Sequence, residues 1–92
     1  MRLNFHAAAL ADLENIHDHI ANDSPAVAAA VLRRLMLSLD HLGDFPLAGR
    51  VGSVDGTREI VVPGLPYIIV YELAEESIDV IAVFHTARDR SG

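Results

Sequence analysis

Between Ala7 and Ala21 apolar residues return every three or four positions, at Leu10, Leu13, Ile16 and Ile20, with Asp12, Glu14, Asp18 and His19 between them. That period predicts an amphipathic helix. Asn22, Asp23, Ser24 and Pro25 interrupt it, and Ser24 before Pro25 reads as an N-cap with proline at the first helical position, where a missing N–H costs nothing. A second helix follows, with Val27, Val31, Leu35, Leu39 and Leu42 as its buried stripe and Gly43 placed to end it in a left-handed conformation. So short a connection implies an antiparallel hairpin. Before the hairpin, Arg2–Phe5 alternates polar and apolar, as one short edge strand would. After it, Pro46, Gly49, Gly52 and Gly56 punctuate a loop over Asp44–Gly56 that is long for a passive connection. Three strands are then expected, Thr57–Val62, Tyr67–Leu73 and Ile78–His85, divided by Pro63-Gly64-Leu65-Pro66 and by Ala74-Glu75-Glu76-Ser77. Helices gathered early and strands late predict a single α+β domain over residues 1–92: a short N-terminal strand, a helical hairpin, then a three-stranded antiparallel meander.

The second helix has more apolar surface than one stripe requires, because Leu32, Met36 and Leu37 lie off the main line. Either the sheet and the first helix cover this surface, or a partner's helix does. Composition adds little about the core beyond its aliphatic character, since two tyrosines and three phenylalanines are the only aromatics. Charge changes more: thirteen carboxylates face seven arginines, no lysine is present, and the net charge is −6. This argues against broad or direct sequence-specific nucleic-acid binding, which needs a basic face. Arg50, Arg58, Arg88 and Arg90, in the second half, are the local exceptions. The absence of cysteine excludes disulfides, thiolate nucleophiles and sulfur-ligated metals, and suits a cytoplasmic protein. Neither a cleavable leader nor a membrane span is expected.

The histidines are read as structural and no metal or cofactor is expected. His17 and His19, two apart on a helix, project about 200° from each other and cannot share an ion. His6 is a weak helix cap, and His41 suits the negative end of the second helix. Tyr67 and Tyr71 face the same way along their strand and are expected to pack, with hydroxyls at the rim. Arg58 and Glu59 face opposite ways, so Arg58 is free either to pair with Glu72 or Asp79 or to meet a target, and Arg50 is a loop charge.

Four segments in order, Phe45-Pro46-Leu47-Ala48-Gly49-Arg50, Gly56-Thr57-Arg58-Glu59-Ile60-Val61-Val62, Tyr67-Ile68-Ile69-Val70-Tyr71 and His85-Thr86-Ala87-Arg88-Asp89, resemble the pattern of ParE-type toxins. Ala9-Leu10-Ala11-Asp12-Leu13 with Ile16 and Ile20 is similar to that family's first helix. The resemblance, to the ParE branch of the RelE/ParE superfamily, implies a toxin bound and silenced by an antitoxin whose C-terminal segment wraps around it, in a hetero-oligomer. RelE-like members are ribosome-dependent messenger-RNA endonucleases, and ParE-like members are associated with inhibition of DNA gyrase.

The typical RelE-like nuclease positions are lysines on the second strand, an arginine after the third strand's tyrosine, and a tyrosine beyond a C-terminal arginine. Here Ile68 follows Tyr67, there is no lysine, and no tyrosine follows Arg88. The resemblance therefore implies a poison of DNA gyrase that acts by binding, with Arg50, Arg58, His85, Arg88 and Arg90 on its target surface. It implies Leu32, Met36 and Leu37 under the antitoxin. A messenger-RNA nuclease with His85 as base, and an inert homologue that only forms the antitoxin complex, are the alternatives.

Overall fold

The interruption at Asn22–Pro25 folds the chain back on itself for a local reason. Ser24 is extended and its hydroxyl accepts a hydrogen bond from the Val27 N–H at 3.2 Å, while Pro25 occupies the first turn, so the second helix begins with a satisfied end. In the computed structural model, which describes residues 1–88, this turn joins helix α1 (Ala7–Ala21) to helix α2 (Pro25–Asp44). His6 precedes α1 without a side-chain cap, as expected. Ser24→Ala should lower the stability of the domain by about 1 kcal/mol, read as a fall in the thermal midpoint of the purified protein. An unchanged midpoint would show that the cap adds nothing.

The helices cover one face of a five-stranded sheet made of β1 (Arg2–Phe5), β2 (Arg50–Val51), β3 (Thr57–Val61), β4 (Tyr67–Leu73) and β5 (Ser77–His85), in the order β1-β5-β4-β3-β2. The meander β3-β4-β5 is antiparallel, and β1 lies parallel to β5, from Arg2 opposite Ser77 to Phe5 opposite Val80. Gly64, with φ +79°, turns the chain between β3 and β4 in the left-handed region. Leu35, Leu39 and Leu42 of α2 are fully buried with Ala9 of α1 and with Ile69, Tyr71, Ile78 and Val80 of the sheet. On α2 this layer is the stripe the periodicity predicts, whereas on α1 the fully buried residue is Ala9 and Leu10, a member of the predicted stripe, is exposed.

Three further details depart from expectation. Gly43 is not left-handed: α2 runs through it to Asp44 and Phe45 is the cap. An added Cβ on Gly43 would meet the Met1 carbonyl at 3.4 Å, an ordinary contact, and the Met1 ammonium donates to the Gly43 carbonyl at 2.8 Å. Val27, first in the predicted stripe, is half exposed because it lies in the first turn of α2. Part of the loop after α2 is a strand, β2, pairing Arg50 with Glu59 and Val51 with Arg58.

Candidate functional site

The loop between α2 and β3 is held by the sheet beneath it. Tyr71, on the core face of β4 and wholly buried, donates its hydroxyl hydrogen to the Pro46 carbonyl at 2.9 Å and accepts from the Gly49 N–H at 2.9 Å. Its hydroxyl is thus an internal anchor and not a rim group. Arg58, opposite Tyr71 across the strands, donates to the Gly49 carbonyl at 2.7 Å. That bond takes the place of the ion pair with Glu72 or Asp79 considered from the sequence. Arg50 and Glu59, paired across β2 and β3, meet at 3.3 Å. The alternation that sends Arg58 and Glu59 to opposite faces therefore gives them separate jobs, one clamping the loop and the other neutralising Arg50.

The sheet face away from the helices is apolar in its middle, where Ile68, Val70, Ala82 and Phe84 stand on β4 and β5. Around them are Glu59, Glu72 and Asp79, with Asp79 accepting from Asn4 Nδ2 at 3.3 Å. The arginine this face shares with β2, Arg50, is already paired. Arg2 stands on this face too, at the β1 edge beside Asn4, so among the described residues one arginine outside an ion pair faces three carboxylates, where a phosphate cradle gathers several cations.

At the other end of the sheet, His85 packs edge-on against Tyr67, with ring centroids 5.4 Å apart. Its Nδ1 accepts from the Ala87 N–H at 3.0 Å, so the neutral ring carries its proton on Nε2. The chain continues into a 3-10 turn, Thr86–Arg88. Arg90 lies outside the described residues, and so does the side chain of Arg88. Arg50 and Arg58 sit at the far edge of the sheet, so the structure does not gather them with His85.

Beside His85 a hollow of about 500 Å3 opens between α1 and the end of β5, lined by Asp12, Asn15, Ile16 and His19 from the helix and by Val83 and His85 from the strand. The helix residues occur at three- and four-residue spacing and so share one face. Sequence reasoning counted Ile16 in the apolar stripe and placed Asp12 and His19 between the apolar residues. The polar stripe at Asp12, Asn15 and His19 was the available signal, though without the strand end it has no meaning.

On the other side of α1 a more apolar groove of about 710 Å3 is lined by Phe5, Leu10, Leu13, Leu32 and Met36, with Glu14, His17 and Asp18 along it. His17 and His19 therefore open onto different surfaces, as their spacing requires, and His17 lies 3.3 Å from Asp18. Leu10 and Met36 are exposed, and Leu32 is partly buried. Leu37, also exposed, faces elsewhere, into a smaller hollow with Arg34, Ser38, His41, Ile60 and Pro63. Of the three residues proposed to meet a partner, the structure joins two and separates the third.

The structure is thus a small α+β domain with a buried core, an apolar groove beside α1 and a loop fixed by internal hydrogen bonds. Residues 3–90 match the family model of the ParE toxin of type II toxin-antitoxin systems, and the chain belongs to that family, within the RelE/ParE toxin superfamily. Among its relatives are Putative toxin Y4kP of Sinorhizobium fredii, 34% identical over 84 residues that make up 91% of this chain and 86% of that protein. Toxin RelE2 of Caulobacter vibrioides is 36% identical over 80 residues, 87% of this chain and 89% of its own. The fold is similar to that in the chromosomal ParDE toxin-antitoxin system from P. aeruginosa, with TM-score 0.82 and 23% identity over 92% of this chain and 95% of that one. It is also similar to that in the intact E. coli RelBE toxin-antitoxin complex, with TM-score 0.69 and 20% identity over 97% and 98% of the two chains. The protein is a type II toxin-antitoxin toxin.

Proposed function

We propose that this toxin acts in the cytoplasm by binding DNA gyrase, and that a cognate antitoxin silences it by laying an amphipathic segment into the groove of Phe5, Leu10, Leu13, Leu32 and Met36. The observation that carries the choice of target class is the charge of the open sheet face. A metal-independent ribonuclease must hold a phosphate and stabilise the charge it gains, which requires cations around acid-base groups. Glu59, Glu72 and Asp79 ring this face instead, Arg50 is paired with Glu59, and Arg2 is left at the β1 edge. A protein surface is the more natural complement to an apolar middle with a charged rim.

The purified toxin in molar excess should therefore inhibit gyrase in a supercoiling assay, with activity restored when the antitoxin is added. Unchanged supercoiling would remove the gyrase reading. Primer extension on translated transcripts after induction tests the alternative, a messenger-RNA nuclease with His85 as its base. Cuts within codons would establish that alternative.

A further inference from the structure

The groove assigned to the antitoxin carries charge along one wall. Its apolar lining comes from both helices, Leu10 and Leu13 of α1 with Leu32 and Met36 of α2, and from Phe5 at the end of β1. Glu14 and Asp18 continue the α1 wall, and His17 lies 3.3 Å from Asp18. The two carboxylates stand four residues apart and so lie one turn from each other on the same side of α1. Both residues are exposed in the isolated toxin, where water solvates them. Like charges at this spacing slightly oppose helix formation, so the pair adds nothing to the stability of α1. The arginines of α2 that flank Leu32, Arg33 and Arg34, lie outside the lining, and Arg34 donates instead to the Pro63 carbonyl.

We infer that the antitoxin segment in this groove is a helix with two basic side chains, lysine or arginine, one turn apart on the flank that lies along α1, where they meet Glu14 and Asp18. An apolar trough between two helices takes a third helix, whose own apolar stripe rests on Leu10 and Leu13 at one side and on Leu32 and Met36 at the other. Such a cover takes water from the edge of the groove as well as from its floor. A carboxylate that loses water and gains no cation is left with an uncompensated cost, so a neutral or acidic flank is selected against. Basic residues four apart on the incoming helix repeat the rise between Glu14 and Asp18, and both pairs close at once. The net charge of −6 also draws a basic segment from a distance, which makes a local contact and a general attraction two separate effects to be told apart. The assignment rests on the reading of this groove as the antitoxin's binding site.

The test is titration of the purified toxin with its cognate antitoxin at low and at high salt. Glu14→Gln combined with Asp18→Asn should weaken binding about tenfold at low salt and remove most of the salt dependence. Reversal of both charges, Glu14→Lys with Asp18→Lys, should weaken it about a hundredfold. Glu75→Gln combined with Glu76→Gln withdraws the same charge from the exposed turn between β4 and β5, outside the groove, and should change binding by less than about twofold. All the substituted side chains are exposed, and the thermal midpoint of each variant reports that its fold is kept. Unchanged or tighter binding by the neutralised groove pair, or a loss no larger than that of the turn pair, would overturn the inference. Met36→Glu separates that failure from failure of the reading beneath it. A large loss with Met36→Glu keeps the antitoxin in the groove with a flank of other chemistry, whereas binding that ignores Met36→Glu places the antitoxin elsewhere and removes both.

Discussion

Gly49→Ala is expected to destabilise the domain by about 3 kcal/mol, more than its position in a surface loop would suggest. A Cβ built on Gly49 would fall 2.6 Å from the Tyr71 hydroxyl and 2.8 Å from the Glu59 carbonyl, and the ring carbon Cε1 lies at 2.9 Å. No rotamer of the buried tyrosine relieves all of these, so either the loop lifts or β3 moves. Lifting the loop breaks the bonds Tyr71 makes to Gly49 and Pro46 and the bond from Arg58 to the Gly49 carbonyl. Gly56→Ala is the contrasting case. There φ is +82° and nothing lies within 4 Å of an added Cβ, so only the left-handed backbone is penalised, at about 1 kcal/mol. Denaturant unfolding of the two variants should rank them in that order. If Gly49→Ala costs no more than Gly56→Ala, the clamp at Gly49 is not what holds the loop.

The same loop shows where sequence reading reaches its limit. Ser24-Pro25 was legible because cap and proline act within one turn, and β4 was legible because a run rich in β-branched and aromatic residues stands between two turn segments. The two residues of β2 establish no period, and what makes them a strand is the exposed edge of β3, a neighbour set by the fold. Gly43 was misread because a glycine near a helix end can lie within the helix as well as stop it, and here α2 runs on to Asp44. The candidate surfaces follow the same rule. Leu32 and Met36, four apart on one helix, could be assigned together, and they share a groove. Leu37 is next to Met36 in sequence and about 100° away around the helix, so its neighbours are Ile60 and Pro63 instead. The hollow at His85 joins residues of α1 to the end of β5, and no local pattern brings those two distant elements together.

That difference between neighbours gives the sharpest test of the antitoxin surface. Met36→Glu should weaken antitoxin binding by about 2–3 kcal/mol, roughly 30- to 150-fold in Kd, whereas Leu37→Glu should change it by no more than about 0.5 kcal/mol. Both side chains are exposed in the isolated toxin, at 42% and 58%, so neither substitution opens a cavity in the core and the fold is a common baseline. Met36 stands among Phe5, Leu10, Leu13 and Leu32, where a buried carboxylate would lack a counter-charge and would face Glu14 and Asp18 as well. Leu37 opens onto Arg34, which donates to the Pro63 carbonyl and offers a new carboxylate a nearby cation. Titration calorimetry of each variant with the antitoxin, or with its C-terminal segment as a peptide, reads the two costs directly. A large loss for Leu37→Glu beside a small one for Met36→Glu would move the antitoxin's path to the opposite side of α2, over Ile60 and Pro63, and leave the apolar groove without its assigned occupant.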